Sequence, residues 1–160
     1  MTKLCLTSGL FIVTSLFAAA AQPAKPAVTK EAVQKAIAIF RQEPTSERGF
    51  MAEAIIMRFA DKSPDTEVRI SREFVPWIAQ KPYPKHINEL VIAYMAGTIR
   101  SQLEHGRHKN DAVAGAEQVV ETYQQIRKVD PGFHDAYAEK LTTLKANGKL
   151  KDYIRAHDSA

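Results

Sequence analysis

Cysteine is almost missing from this sequence, and its scarcity limits what the protein can do. Of 160 residues only Cys5 is a cysteine, and it lies close to the amino terminus. The chain beyond Cys5 can therefore form no internal disulfide, bind no zinc through thiolates and use no cysteine nucleophile. We expect its stability to come from side-chain packing, because no covalent cross-link is available there.

Motifs for catalysis and cofactor binding are also missing. The sequence contains no Gly-x-Ser-x-Gly, no phosphate-binding glycine loop, no His-Glu-x-x-His and no Cys-x-x-Cys-His. His105 and His108 could share a metal ion if both lay on one helix. Gly106 interrupts a helix between them, however, and Arg107 and Lys109 would repel a cation. We therefore predict a solvated turn at His105 and His108. For the whole chain we predict no metal site, no cofactor, no catalytic residue and no enzymatic activity.

Only one long apolar run is present, and it stands at the amino terminus. Lys3 precedes the uncharged residues 4–17, and four alanines follow at residues 18–21. A basic residue, an apolar stretch and small residues in this order are typical of a secretory signal peptide. We predict that residues 1–21 are removed before Gln22 and that the protein is periplasmic or secreted. The alternative is a retained membrane anchor, since about 18 residues is the lower limit for a span.

The excess of positive over negative charge in this sequence is small. The net charge is +4, and most basic residues alternate with acidic ones, so nothing here indicates nucleic-acid binding. Residues 100–109 and 140–155 lean positive. We interpret both stretches as solvated helix ends, and an anionic partner is the alternative interpretation.

Apolar residues recur at helical spacing from residue 29 onward, and no stretch alternates like a strand. Residues 22–28 contain two prolines and form a predicted linker, and residues 29–160 form a single predicted helical domain. Prolines, glycines and capping residues set the predicted helix ends. The predicted helices cover residues 30–42, 45–60, 64–74, 84–105, 110–129 and 133–146, and a seventh begins near residue 149.

Three residues allow more specific predictions about packing and helix ends. Gly97 lies in the middle of a helix that is apolar on two sides, which predicts close approach of another helix. Asn110 is the expected cap of the helix that follows. Trp77 is the single tryptophan, and we expect it to anchor the core.

The C-terminal third shows a repeat-like spacing of aromatic, small and turn residues. The residues that carry it are Tyr123, Ile126, Asp130, Pro131, Tyr137, Leu144, Gly148 and Leu150, with Ala96 and Gly97 upstream. This pattern resembles the tetratricopeptide repeat over about a third of the chain. The resemblance implies an all-α fold of stacked antiparallel helical hairpins, a superhelix of six to seven helices. Another αα repeat or an irregular bundle would also accommodate these helices.

A stack of this kind leaves the first helix of each pair facing a groove that can bind an extended or helical segment. We therefore predict an exported helical-repeat module that binds another protein or a peptide in the cell envelope. The side chains predicted to face the groove are Tyr94, Thr98, Gln102, Asp135, Thr142 and Lys145.

A helical bundle with an internal pocket is the alternative prediction, and it would be an enzyme or a small-ligand-binding protein. The side chains that would line the pocket are Tyr83, Tyr94, Tyr123 and Tyr137, with His105 or His134 as the polar element. A perturbed histidine in a closed polar cavity would favour this alternative. A purely structural envelope protein is the third alternative.

Overall fold

The computed structural model describes residues 27–158, so the predicted signal peptide and residues 22–26 of the predicted linker lie outside the described residues. The described part contains six α-helices and no strand, which confirms the all-α prediction. The helices are α1 (Lys30–Gln42), α2 (Glu47–Lys62), α3 (Ile87–His105), α4 (Ala112–Val129), α5 (Ala136–Ala146) and α6 (Leu150–His157). A short 3-10 helix at Pro76–Ala79 lies in the long connection between α2 and α3.

Local end signals place the first two helices close to where the sequence predicts them. The Thr29 hydroxyl accepts a hydrogen bond from the Ala32 amide at 3.1 Å and caps α1. Ser46 caps α2 in the same way, through the Gly49 amide at 3.0 Å. These hydroxyls satisfy amides that have no partner within the helix. Pro44 separates the two helices, as the sequence predicts.

The predicted start of α3 at residue 84 is wrong, because the helix begins only at Ile87. His86 has a left-handed backbone with φ of +61°, which no residue inside a right-handed helix can adopt. The predicted cap of α4 is also wrong. Asp111, not Asn110, caps α4 by accepting a hydrogen bond from the Ala114 amide at 3.1 Å.

The predicted helix over residues 64–74 is wrong. The segment beyond α2 makes a turn, in which the Ser63 hydroxyl accepts from the Asp65 amide at 3.1 Å, and it then runs without regular secondary structure to residue 75. Its backbone groups bond to side chains instead of to a helical neighbour. The Glu67 amide donates to Gln102 Oε1 at 2.9 Å, and Gln102 Nε2 donates back to the Glu67 carbonyl at 2.7 Å. These long-range bonds replace the ones that a helix would make.

α1 packs mainly against α2, and α3 packs mainly against α4, whereas α5 and α6 each pack more against α4 than against each other. Lys30 at the start of α1 pairs with Asp65 beyond the end of α2 at 3.1 Å, so these two helices run in opposite directions. His86 at the start of α3 reaches Asp130 at the end of α4 at 3.3 Å, which shows the same arrangement for the second pair. α3 also packs against α1 and α2, and α4 packs against α5 and α6.

α3 and α4 form the most extensive helix contact of the described residues, and their close approach confirms the prediction made for Gly97. A β-carbon on Gly97 would lie 2.3 Å from the Ala114 carbonyl oxygen. Gly115 on the facing helix leaves room in the same way for the ring of Tyr94, 2.6 Å from where its own β-carbon would be. Two glycines on opposite helices therefore let the backbones approach.

A single cluster of buried apolar side chains joins all six helices and the long connection. Trp77 is fully buried in this cluster, which confirms its predicted use as a core anchor. Its indole N–H donates to Asp135 Oδ2 at 2.8 Å, so the connection is tied to the start of α5. None of the helices of residues 27–158 is both long and apolar enough to cross a membrane.

Candidate functional site

α2 carries apolar side chains on two opposite sides, and only one of them is covered. Ala52, Ile56 and Phe59 are buried in the core. On the other side lie Phe50, Met51, Ala54 and Met57, which we call the outer face of α2. Phe50 is 71% exposed, Met51 63% and Met57 53%. Phe50, Ala54 and Met57 follow one another at i, i+4 and i+7, so they form one continuous stripe along the helix.

A shallow groove continues the outer face toward α3. Its volume is about 670 Å³, and its lining includes Ala54 and Met57 of α2, Val68 and Ile70 of the connection, and Met95 of α3. Ile70 is itself 38% exposed. Several large apolar side chains that meet in one exposed patch are typical of a surface that binds another molecule, whereas isolated ones are ordinary.

Charged residues also belong to this surface. Arg58 and Asp61 of α2 line the groove, and ion pairs occur at both ends of the helix. Arg48 pairs with Glu43 at 2.7 Å near the start of the helix, and Lys62 pairs with Asp61 at 2.8 Å at its end. An apolar centre with a polar rim is the usual layout of a protein interface. Met51, Met57 and Met95 also suit a binding surface, because their flexible thioether side chains adjust to partners of different shape.

Three of the six predicted groove residues are inaccessible. Tyr94 and Thr98 are fully buried, and Gln102 is 2% exposed. The Thr98 hydroxyl donates to the Asp111 carbonyl at 3.2 Å, and both polar ends of the Gln102 amide bond to Glu67. A peptide in a surface groove could not touch these three side chains.

The other three predicted groove residues make contacts within the fold. The Asp135 carboxylate accepts from Trp77 and from the Ala138 amide, the latter at 2.8 Å. Thr142 donates to the Ala138 carbonyl at 2.8 Å, and Lys145 lies 3.7 Å from Glu121. Because half of the predicted set is buried, the structure does not bring all six side chains to one open surface.

Tyr94, Gln102 and Asp135 nevertheless hold a segment of the same chain, the connection between α2 and α3. Gln102 clamps the backbone of Glu67, Tyr94 stacks on Phe74 with ring centres 6.3 Å apart, and Asp135 accepts from Trp77. At these three positions the connection between α2 and α3 makes the contacts that were predicted for a bound peptide.

The tyrosines of the alternative pocket differ in burial and in hydrogen-bond partners. Tyr83 is 63% exposed, whereas Tyr94 is buried, and burial raises the pKa of Tyr94 to about 12. Tyr123 donates to Glu139 and Tyr137 donates to the Glu73 carbonyl, each at 2.8 Å. His134 is exposed beside Glu139, and His105 Nδ1 lies 2.8 Å from the Ser101 carbonyl oxygen.

A histidine that the sequence analysis did not single out lies between two carboxylates. His86 Nδ1 is 2.9 Å from Glu89 Oε1, and His86 Nε2 is 3.3 Å from Asp130 Oδ2. Lys85 also donates to Asp130, and these hydrogen bonds from Lys85 and His86 hold the pKa of Asp130 below its usual range. The cluster joins the start of α3 to the end of α4. The left-handed backbone conformation of His86, which places its side chain there, cannot be predicted from the local sequence.

The same region contains a buried carboxyl group on α2. Glu53 is 8% exposed. Burial raises its pKa to about 7, with a further contribution from the nearby charge of Glu89. Within residues 27–158 no group of three or more histidine, cysteine, aspartate or glutamate side chains is arranged to hold a metal ion.

The outer face of α2 is thus the strongest candidate for a functional surface, and the sequence contains only part of the signal for it. Phe50, Ala54 and Met57 are visible as a helical stripe, but so are Ala52, Ile56 and Phe59. Local spacing does not tell which stripe faces the core. Comparison of the chain with known protein families, with curated proteins and with solved structures finds no match.

Proposed function

We propose that this protein is a protein-interaction module, and that the outer face of α2 binds an amphipathic helix of a partner protein. The observation that carries the proposal is the exposure of Phe50 and Met57 on one stripe of α2, with the neighbouring Met51 also exposed. Export to the cell envelope is part of the proposal and rests on the signal-like residues 1–21. The proposal does not include a catalytic activity.

The shape of the surface supports a helical partner. An amphipathic helix that lies in a groove uses apolar side chains at i, i+3, i+4 and i+7. The groove beside Met57 supplies apolar walls from two other elements, through Ile70 and Met95. A partner helix between these walls would cover Ala54 and Met57 of the outer face, and it would meet the charged side chains of Arg58 and Asp61, which also line the groove.

The repeat-like stacking of helical hairpins is also part of the proposal. The pairing of α1 with α2 and of α3 with α4 supports it. In such a stack a partner is expected along a face that several helices share. Ala54 and Met57 of the outer face and Met95 of α3 line one groove.

A site-specific cross-linking experiment tests the proposal. A photoreactive amino acid replaces Met57 in one variant and Val129 in another, and both are expressed in the native host. Val129 is the matched control, because it is 67% exposed at the far end of α4 and lies outside the groove. We expect a defined partner to cross-link from position 57 and not from position 129.

The partner identified in this way is then purified, and its affinity for two charge variants is measured. We expect Met57→Glu to weaken the complex about 30-fold, because a carboxylate would be buried against apolar side chains, and Val129→Glu to change it less than about twofold. Equal effects of the two variants would contradict the proposal. A cross-link from position 57 to a second copy of this chain would also contradict it, since it would show self-association.

A further inference from the structure

A cleft of about 560 Å³ opens between the turn that joins α3 to α4 and the last helix, α6. Two stretches of sequence that lean positive meet there. The turn and the end of α3 contribute Arg100, Arg107 and Lys109, and α6 contributes Lys151 and Arg155. The two stretches are separate in the sequence and were predicted to be solvated helix ends, but the fold places residues of both on one cleft.

The carboxylates of the cleft only partly balance these cations. Of the four that line it, Asp111 is already engaged, because its Oδ1 accepts from the Ala114 amide at 3.1 Å and its Oδ2 accepts from the Ser101 hydroxyl at 2.6 Å. Glu104 lies 3.9 Å from Arg100. The remaining two, Glu117 and Asp158, face a larger number of basic side chains.

Three of the cations have no partner of their own. Within residues 27–158, the side chains of Arg107, Lys109 and Lys151 make no ion pair of 4.0 Å or less and no hydrogen bond. All three residues are exposed. Their charges are therefore available to a ligand, and binding it would not require an internal ion pair to break.

The first turn of α4 adds to the positive potential. Ala112, Val113 and Ala114 line the cleft at the start of a helix of 18 residues. The amino-terminal end of a helix carries a partial positive charge, and its first amides have no partner within the helix. The Asp111 side chain accepts from the amide of Ala114. The amides of Ala112 and Val113 are not among its donors.

We propose that this cleft binds a phosphate group. Several convergent cations favour phosphate over a single carboxylate, because phosphate carries more charge and offers at least three acceptor oxygens. Arg107 can bind two of these oxygens at once through its planar guanidinium, and Lys109 and Lys151 act as point charges. The phosphate can come from a small soluble ion or from a lipid headgroup. The site is separate from the outer face of α2, and none of its lining residues belongs to α2.

An NMR titration of the purified protein tests the proposal at constant ionic strength. The probes are inorganic phosphate, pyrophosphate and, separately, vesicles of phosphatidylglycerol or phosphatidylcholine. The variants are Lys109→Glu and Lys151→Glu. The matched control is Lys35→Glu, because Lys35 is exposed on α1 outside the cleft and the charge change is the same.

We expect the amide signals of residues 106–114 and of α6 to shift on titration. Each cleft variant should weaken binding about tenfold or more, and the control less than about twofold. Shifts with phosphate or pyrophosphate indicate a soluble ligand, and binding to phosphatidylglycerol vesicles alone indicates a headgroup; either result supports the proposal. No binding of any probe overturns it. Equal weakening by Lys35→Glu also overturns it, because it would show attraction to the overall charge of the protein.

Discussion

Glu53 is a carboxyl group whose buried environment departs strongly from that of a free side chain. It lies on the buried side of α2 near Glu89, and only 8% of it is exposed. Burial disfavours the charged carboxylate, and the negative charge of Glu89 adds to the effect. The folded protein therefore holds the Glu53 proton more tightly than the unfolded chain does, since its pKa rises from 4.5 to about 7.

This difference makes stability depend on pH. Between about pH 4.5 and pH 7 the folded state binds more protons at Glu53 than the unfolded state does. The free energy of unfolding must therefore fall as pH rises through this window, and it stays lowered above pH 7. We predict that Glu53→Gln raises the free energy of unfolding by about 2 kcal/mol at pH 8 and changes it little at pH 4.

Urea denaturation at several pH values measures this effect. Glu104→Gln is the control, because Glu104 is exposed and lies 3.9 Å from Arg100, a distance at which an ion pair contributes little. The control should keep the pH dependence of the unchanged protein. A Glu53→Gln variant with that same pH dependence would show that Glu53 is not the group that titrates.

At the scale of helices, the approach of α3 to α4 depends on Gly97. Helix propensity alone predicts that Gly97→Ala stabilises the protein by about 1 kcal/mol. The new β-carbon would lie 2.3 Å from the Ala114 carbonyl oxygen, however, and backbone cannot move aside as a flexible side chain can. We predict that the cost of this clash exceeds the gain in helix propensity, so that Gly97→Ala lowers the free energy of unfolding by about 2 kcal/mol or more.

Gly132→Ala provides the comparison for this experiment. Its β-carbon would meet nothing closer than Asp130 Oδ1 at 3.7 Å, which is ordinary contact. Chemical denaturation of both variants should show a large loss for Gly97 and less than about 1 kcal/mol of change for Gly132. A stabilised Gly97→Ala variant would mean that the two helices are further apart than the structure has them.

The connection between α2 and α3 shows where element-level prediction failed. Ser63, Pro64 and Asp65 form a good helix-start signal, and Val68 and Phe74 continue the pattern. The structure has no helix there, because the side-chain amide oxygens of Gln102 and Asn110 accept hydrogen bonds from the backbone amides of Glu67 and Arg69. Both of those side chains are distant in sequence, so no local pattern could reveal their preference for this segment.

At the scale of the whole molecule, all six helices share one core. Trp77 reports on that core, since it is fully buried and packs edge-to-face against Tyr137 of α5 with ring centres 5.5 Å apart. A single core predicts cooperative unfolding. We predict that Trp77 fluorescence and far-ultraviolet circular dichroism give thermal midpoints within about 2 °C of each other.

Both signals can be recorded on the same sample during one temperature ramp. If the tryptophan signal changes clearly before the helical signal, the connection and α5 unfold as a separate unit. That outcome would contradict the single-core description. A repeat stack whose hairpins unfold one after another would also separate the two transitions.

The local sequence was sufficient for most helix ends. Thr29, Ser46 and Gly106 act on the few residues beside them, so their effect does not depend on the rest of the fold. The close contact at Gly97 was also predictable, because a glycine inside an apolar helix has few other uses. The all-α class follows from the same short-range spacing.

Long-range packing set what the local sequence leaves open. Long-range packing determines which apolar side of α2 is buried and which side, with Phe50 and Met57, faces solvent. It also turned Tyr94 and Gln102 from expected ligand contacts into supports for the chain's own connection. The physical reason is that burial and hydrogen-bond partners depend on elements distant in sequence, whereas helix formation depends on neighbours within a few residues.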